Sequence, residues 1–439
     1  MTKKKPFIPI LVILFNLLFI NLYPLPSAKI SKKASHSDQT SIQPLETILH
    51  YNIEAQLLPL EKKLLGSTTI KWTNESKYNI TSLRFHLYYN AFANEKTTLL
   101  SELKYFAKTE HELENHQFGE IKINEIRIVE GEELTPKMEY ISPDDQNLHD
   151  KTVMEVRLKE SIKPDQSIII KINYVLRIPE IIFKSGQVED FFFMSQWYPQ
   201  LGVLQSDGSW NCHQYHRDSD FFANFSNYEV AITLPEKFTI GATGNLEKKI
   251  KNADGTYTFL FMEKNIHDFA WAAYPEFREI AEKIKLKGNR ETTKIVLLLS
   301  PDDQNEKTQY LESLKFAMKY YAENIFPYPL KKITLVTPPL KGIRSGNQAY
   351  PGLICISHLK PLFKLSMPIE LRTIHEFGHQ YWYGFIGTDE VREAWLDEGI
   401  NAFFDMEIME KFSQNSKSHI NWILFGVSID QYYRWKYLS

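Results

Sequence analysis

The chain has 439 residues, of which 43% are hydrophobic and 24% are charged. This is the composition of a globular protein, and the length allows two or three domains that each bury a core. The formal net charge of -3 contains no basic excess, which argues against nucleic acid as a partner.

The N-terminus departs from the globular pattern. Three lysines precede an uncharged, apolar run from Pro6 to Ala28, which is the arrangement of an export signal. Residues 1–28 are therefore predicted to be a signal peptide, with an uncleaved membrane anchor as the alternative because the run nearly spans a bilayer. The protein is expected to be exported to the cell envelope, periplasmic or extracellular, and to contact a membrane only through this segment. Residues 29–45 are rich in Ser, Lys and Gln and are predicted to be a linker.

Residues 46–275 predict one β domain. Short runs rich in Val, Ile, Thr and aromatic residues alternate with turn residues, and no helical pattern of comparable strength occurs among them. The clearest predicted strands are "STTIKWTN" (67–74), "LRFHLYY" (83–89), "SIIIKINYVLRI" (167–178), "YEVAITL" (228–234) and "TYTFLFME" (256–263).

Residues 276–439 predict a separate α/β or α+β domain, because strands are followed there by helices. The predicted strands are "TTKIVLLL" (292–299), "KKITLVTPP" (331–339) and "GLICIS" (352–357). Apolar residues at helical spacing predict helices at 302–326, at 367–384, where Gly384 ends the helix, and at 390–412.

The helix at 367–384 contains "HEFGH", two histidines four residues apart. Positions i and i+4 share one helix face, so His375 and His379 can bind one metal ion, while Glu376 lies beside the ion's open side as a general base. Catalytic zinc usually takes a carboxylate as its third protein ligand, and Glu398 follows His379 after 18 intervening residues. The sequence thus predicts a site for one Zn²⁺ ion, and a helix with two unrelated histidines is the alternative.

Thiolate ligands are not expected at this site. Cys212 and Cys355 are too few and too far apart for a disulfide framework or a thiolate zinc site. They are predicted to be unpaired structural thiols, with a single long-range bridge as the alternative.

The spacing of His375, His379 and Glu398, with the glutamate inside "WLDEG", resembles the gluzincin aminopeptidases, the family of aminopeptidase N. Further stretches are similar to that family: "LRFHLYYNAF" (83–92), "SQWYPQLG" (195–202), "FSNYEVAITLP" (225–235), "GATGNL" (241–246), "HDFAWAA" (267–273) and "AENIFPYPLKKITLV" (322–336). The resemblance covers about residues 46–411. It implies an α+β multidomain protein, in which a saddle-like β domain precedes a thermolysin-like zinc domain that is incomplete at its C-terminus.

The resemblance also implies a function for individual residues. His375, His379 and Glu398 would hold zinc, and Glu376 would take a proton from the attacking water and pass it to the leaving amine. Asp397, together with Glu390 or Glu393, is a candidate to orient the imidazoles, and a solvated acidic surface is the alternative.

Three positions depart from the family pattern. The substrate loop of the family aligns with Gly346, Asn347, Gln348, Ala349 and Tyr350, but Ala349 replaces the glutamate that binds the substrate's free amine. Tyr198 stands where the family often has a second amine contact. The family's transition-state tyrosine has no clear counterpart, because the late candidates, Tyr432 and Tyr433, lie in "DQYYRWKY" (430–437), which does not match the family pattern.

Three functional hypotheses follow. The first is a zinc metallopeptidase with a weakened requirement for a free N-terminus, acting on peptides. The second is a catalytically impaired relic that binds zinc and peptides. The third is a zinc hydrolase of substrates other than peptides. Peptide hydrolysis that depends on Glu376 would separate the first hypothesis from the second.

Overall fold

A computed structural model describes residues 47–107, 114, 117–218, 221–357 and 368–415. The predicted export segment and linker lie outside the described residues, as do Tyr432 and Tyr433. Within the described part of the chain, no helix is long and apolar enough to cross a bilayer.

Most of the regular structure is β. The strands are β1 (Leu49–Leu58), β2 (Lys63–Thr73), β3 (Ile80–His86), β4 (Glu120–Ile128), β5 (Met138–Ile141), β6 (Val153–Ile162), β7 (Ser167–Arg177), β8 (Gly186–Val188), β9 (Phe191–Met194), β10 (Gln200–Leu201), β11 (Val203–Leu204), β12 (Trp210–Asn211), β13 (Ser226–Pro235), β14 (Thr239–Ala242), β15 (Asn245–Lys251), β16 (Thr256–Ile266), β17 (Trp271–Tyr274), β18 (Arg278–Ile284), β19 (Thr293–Leu299), β20 (Lys332–Val336), β21 (Gln348–Tyr350) and β22 (Leu353–Cys355). The α-helices are α1 (Thr98–Ala107), α2 (Lys307–Asn324), α3 (Ile369–Trp382) and α4 (Glu398–Asn415).

A seven-stranded sheet in the order β15-β16-β13-β1-β2-β7-β4 is the largest element of the first half of the chain. Adjacent strands in this sheet pair antiparallel, except for β1 and β13, which are parallel. Its inner strands bury alternate residues, as in β7, because one face of an antiparallel sheet packs on the core while the other meets water. The same half contains two four-stranded sheets, β10-β3-β6-β5 and β14-β17-β9-β8, and the β11-β12 pair.

A five-stranded sheet in the order β18-β19-β20-β22-β21 supports the helices of the second half. The pairs β19-β20 and β20-β22 are parallel, and β19 is almost wholly buried, as expected for a strand covered on both faces. The strand β21 forms one edge of this sheet. Helix α3 packs against α2, α4 and β21, so it lies between the helical layer and the sheet edge.

The predicted mixture of sheets and helices is confirmed, while two local predictions are wrong. Helix α1 was not expected between the strands of the first half. The backbone N–H of Thr98, the first residue of this helix, donates to Oδ2 of Asp150 at 3.2 Å. Because Asp150 is distant in sequence, no local pattern reveals this cap. The last predicted helix begins at Glu398 rather than at residue 390, because the preceding residues form turns and a short 3₁₀ helix, Ala394–Leu396.

The core is continuous across the predicted boundary at residue 275. One cluster of buried apolar side chains contains Trp271 from the first segment and Ile333 from the second. The division into two domains stays a prediction. Cys212 and Cys355 are both buried and unbridged, as predicted for structural thiols.

Candidate metal centre

Helix α3 positions both histidines on one face. It follows Pro368, which has an extended backbone and starts the helix, and most of its residues are buried. One helical turn separates His375 from His379, and their Nε2 atoms face each other at 3.2 Å. The imidazole planes are nearly perpendicular, with ring centroids 4.6 Å apart.

Glu398, the first residue of α4, completes the cluster. Its carboxylate oxygens lie 3.6 Å from Nε2 of His375 and 3.9 Å from Nε2 of His379. One donor atom from each of the three residues lies within 4.8 Å of the others, the only such metal-type group among the described residues.

These separations fit a zinc ion. Ligand atoms about 2.0–2.2 Å from zinc, at tetrahedral angles, are about 3.3–3.6 Å apart. The separation of the two Nε2 atoms, 3.2 Å, is close to that value, and the distances from the Glu398 oxygens to these atoms, 3.6 and 3.9 Å, lie at or slightly above it. Two imidazole nitrogens and one carboxylate are also a donor set typical of catalytic zinc, which leaves a fourth position for water.

Each imidazole is held from behind by a carboxylate. Oδ2 of Asp405 lies 2.7 Å from Nδ1 of His375, and Oδ1 of Asp397 lies 2.5 Å from Nδ1 of His379. A partner at Nδ1 fixes the ring and leaves Nε2 for a metal, as around ligating histidines generally.

Asp397 was predicted for this role and Asp405 was not. The signal for Asp405 was present, because it lies seven residues after Glu398 and hence on the same face of α4. Glu390 instead accepts a hydrogen bond from the Thr388 hydroxyl, and Glu393 accepts one from the indole of Trp395. Neither contact involves the imidazoles.

The carboxylates also shift the pKa values of the cluster. Burial alone would lower the pKa of His375, but the Asp405 carboxylate outweighs this effect and the pKa is raised. Burial acts in the same sense on His379, yet Asp397 keeps its pKa well above the usual 6.5. Burial raises the pKa of the Glu376 carboxyl group to about 7, despite the opposing effect of the two imidazoles. The cluster therefore holds protons near neutral pH.

The glycine inside "HEFGH" allows α3 and α4 to approach closely. A Cβ atom at Gly378 would lie 1.8 Å from Oδ1 of Asn401 and 2.7 Å from the hydroxyl of Tyr321. In the space left by the glycine, Nδ2 of Asn401 donates to the carbonyl oxygen of His375 at 2.9 Å. The two helices that carry the donor atoms are thus joined at the cluster itself.

A cavity of about 300 Å³ opens beside the cluster. It is lined by Lys184, Phe221, Asn347, Gln348, Ala349, Tyr350, Arg372, His375, Glu376, His379, Tyr383, Asp397 and Glu398.

Four of the five predicted substrate-binding residues line the cavity. The exception is Gly346, where a Cβ atom would lie 2.1 Å from Cβ of Ser357, so this glycine permits a close backbone approach instead. Tyr350 donates its hydroxyl hydrogen to Oε1 of Gln348 at 2.5 Å, which ties these two side chains together. Ala349 lies between them in β21 and contributes only a methyl group to the cavity lining.

Tyr198 does not line the cavity. It is buried in the core, where its hydroxyl group lies 2.9 Å from that of Tyr228 and 3.2 Å from Oδ1 of Asp268. The position is therefore structural in this chain.

The fold resembles that of known zinc peptidases. Neither a protein-family model nor a curated protein sequence matches the chain. Aminopeptidase A of Legionella pneumophila, solved in complex with aspartic acid, matches with a TM-score of 0.57 and 13% identity, over 83% of this chain and 38% of that one. The M1 zinc metallopeptidase of Deinococcus radiodurans matches with a TM-score of 0.55 and 12% identity, over 84% of this chain and 72% of that one. At such identities the similarity is one of fold, and this chain spans well under half of the Legionella enzyme.

Proposed function

We propose that the chain is a zinc-dependent metallopeptidase of the aminopeptidase-like kind, with Glu376 as its general base. The observation that carries the proposal is the convergence of His375, His379 and Glu398, with Nε2 of each imidazole directed at the others by a carboxylate behind it. The fold shared with M1 zinc aminopeptidases supports the same conclusion. A bare pair of histidines on a helix would not require three acidic partners.

Zinc, when bound, activates a water molecule for attack and polarises the scissile carbonyl group. Glu376 lies on the same helix as both imidazoles and lines the same cavity. Burial raises the pKa of this carboxyl group to about 7 in the metal-free chain, and a bound zinc ion would lower it, so the ionised group could take a proton from water and return it to a leaving amine. Asp405 and Asp397 keep the imidazoles from turning, so their Nε2 atoms stay directed at the reaction centre.

Peptides are the proposed substrates, and β21 is their proposed binding strand. An edge strand can add backbone hydrogen bonds to an extended peptide. The methyl group of Ala349 supplies no charge at the position where the aminopeptidase family has an amine-binding glutamate. A charge-assisted hydrogen bond contributes about 1.5–3 kcal/mol, so recognition of a free N-terminus should be weak.

The same alanine supports the second candidate function. The second candidate is a chain that binds zinc and peptides but does not hydrolyse the peptides at a useful rate. Such a chain would retain His375, His379 and Glu398 and lose the amine contact. The two functions differ in one measurable property, the dependence of peptide cleavage on Glu376.

The proposed organisation follows the sequence. Residues 1–28 would export the chain to the cell envelope, 29–45 would be a linker, and 46–275 and 276–439 would be the saddle-like β domain and the thermolysin-like zinc domain. Fusing residues 1–45 to a reporter that is active only after export tests the first assignment, and a reporter that stays inside the cell would contradict it.

The test of function is hydrolysis of short peptides, free and N-acetylated, by the purified chain with zinc and with a chelator. Glu376→Gln should reduce the rate by about 10²–10⁴-fold and leave one zinc ion bound. Glu370→Gln, at the start of the same helix, is the matched control and should keep full activity. Cleavage of both peptide types would show that the amine requirement is gone. If the wild-type chain binds zinc and cleaves neither type, the peptidase proposal is wrong and the relic remains.

A further test restores the missing charge. Ala349→Glu places a carboxylate in the cavity and should favour free over acetylated peptides by about tenfold or more. An unchanged ratio would mean that the substrate's N-terminus does not reach this position.

A further inference from the structure

The side chain of Gln380 joins the helix of the metal centre to the hairpin that borders the cavity. Gln380 directly follows His379 in α3 and is 1% exposed. Its Nε2 atom donates to the carbonyl oxygen of Tyr350 at 2.9 Å. Its Oε1 atom accepts hydrogen bonds from the amide of Gly352 at 2.8 Å and from the hydroxyl of Tyr328 at 3.3 Å.

The two backbone contacts lie on either side of one tight turn. Tyr350 of β21 pairs with Leu353 of β22, and Pro351-Gly352 connects them. Gly352 has a φ of +72°, the left-handed value that the second central residue of a type II turn requires. A primary amide supplies both a donor for the carbonyl and an acceptor for the amide at this spacing, whereas an ionised carboxylate lacks the donor and a methionine side chain lacks the donor as well.

The same hairpin carries the residues that face the metal centre across the cavity. Gln348, Ala349 and Tyr350 line the cavity together with His375 and His379. At the other end of β21, Nε2 of Gln348 donates to the carbonyl oxygen of Lys184 at 3.0 Å. The strand is therefore held between the first half of the chain and Gln380.

We propose that Gln380 is a positioning residue that fixes the distance between β21 and the metal ligands, and thereby the affinity of the cavity for an extended peptide. The proposal rests on the proposed function, because it concerns the strand assigned to peptide binding. Displacing β21 would weaken the contacts that a bound peptide makes in the ground state and in the transition state alike, so the effect should appear in KM rather than in kcat.

The experiment compares Gln380→Glu and Gln380→Met with Thr373→Val. Thr373 is buried on the same helix, but its hydroxyl group bonds only to the carbonyl oxygen of Ile369 at 2.8 Å, so its loss leaves the hairpin untouched. In the Gln380 variants we expect KM for a short peptide to rise about tenfold with kcat within about twofold. Zinc affinity should stay unchanged, and the backbone amides of residues 348–355 should exchange hydrogen faster. Thr373→Val should change none of these.

A second variant perturbs the same hairpin through its turn rather than through Gln380. Gly352→Ala strains the turn through its positive φ and should raise KM in the same way. Combined with Gln380→Glu, it should add little, because both changes release the same hairpin.

Three results would overturn the proposal. The first is an unchanged KM in folded Gln380 variants, and the second is a fall in kcat that matches a fall in bound zinc. The third is full additivity of the Gln380→Glu and Gly352→Ala effects on KM. If the wild-type chain cleaves no peptide, the proposed function fails separately. Binding of trialanine to the zinc-loaded chain, by calorimetry, then replaces KM. If trialanine does not bind either, hydrogen exchange at residues 348–355 decides alone whether Gln380 holds the hairpin.

Discussion

Replacing Asp405 by asparagine should weaken zinc binding without unfolding the chain. The Asp405 side chain is fully buried, and its Oδ2 atom lies 2.7 Å from Nδ1 of His375. Asparagine keeps the size of the side chain and one oxygen acceptor but removes the charge. The hydrogen bond that orients His375 thus changes from charge-assisted to neutral, which roughly halves its strength.

Losing such a partner typically reduces metal affinity by about 10–100-fold, or about 1.4–2.7 kcal/mol. Two features of the structure favour the lower end. Asp397 continues to hold His379, so only one of three ligands is loosened. The change also lowers the pKa of His375, since Asp405 is the group that raises it, and a less protonated imidazole binds metal more readily. We therefore expect a loss of about tenfold.

Competition with a chromophoric zinc chelator at neutral pH measures this loss directly. Glu407→Gln is the matched control, because it removes a carboxylate charge from the same helix while keeping an acceptor for its partner, Tyr320. The reasoning is refuted if the Asp405→Asn variant binds zinc as tightly as the wild type, or if Glu407→Gln costs as much affinity.

Three other predictions concern stability. Gly378→Ala should destabilise the fold by about 1–3 kcal/mol in denaturant titrations, because its Cβ atom would overlap Asn401. Gly399→Ala is the control and should be neutral or stabilising, because the nearest neighbour of its Cβ atom lies 3.9 Å away. Equal effects of the two substitutions would contradict the packing argument. Burial raises the pKa of Asp268 to about 6, so the folded chain binds more protons than the unfolded one between about pH 4 and 6. The free energy of unfolding should therefore fall by about 3 kcal/mol for this group as pH rises through that window, and Asp268→Asn, compared by melting at several pH values, should flatten the curve. Removing zinc with a chelator should lower the melting temperature, because the metal binds only the folded cluster, and Glu398→Ala should largely abolish that difference; an equal drop in the variant would place the stabilising zinc elsewhere.

The three candidate metal ligands were easier to bring together from the sequence than the residues that support them. His375, His379 and Glu398 come together because a helix turn and a following helix start are local features that the motif records. Asp405 satisfied an equally simple rule, a spacing of two turns from Glu398, but acidic residues on helices are so common that the spacing alone does not distinguish it. Gln380 makes contacts with residues about thirty and fifty positions away, and no local pattern predicts them.

The same limit explains the errors in the fold. Four of the five clearest strands of the first half agree with the structure almost throughout, because alternation within a half-buried strand is a property of the strand itself. The strand predicted at 83–89 ends at His86, and a 3₁₀ helix follows at Tyr88–Phe92. Helix α1 depends on Asp150, and the start of α4 depends on turns that interrupt an otherwise helical sequence. Tyr198 stands two residues after Gln196, where the family that the sequence resembles often has an amine contact, yet only the packed structure reveals that Tyr198 belongs to a buried hydrogen-bonded group with Tyr228 and Asp268.

The carboxyl groups around the two imidazoles favour protonation of this cluster in the metal-free chain. Four carboxyl groups, those of Glu376, Asp397, Glu398 and Asp405, surround His375 and His379. The pKa values of the two imidazoles and of Glu376 are raised, so these three groups favour their protonated forms in the metal-free chain. An arriving divalent ion favours the deprotonated forms, so protons must leave. The heat of metal binding should then vary with the ionisation enthalpy of the buffer, and the slope counts the protons released. The affinity of the cluster for its metal ion should therefore be lowest at acidic pH and should rise as the pH approaches neutrality.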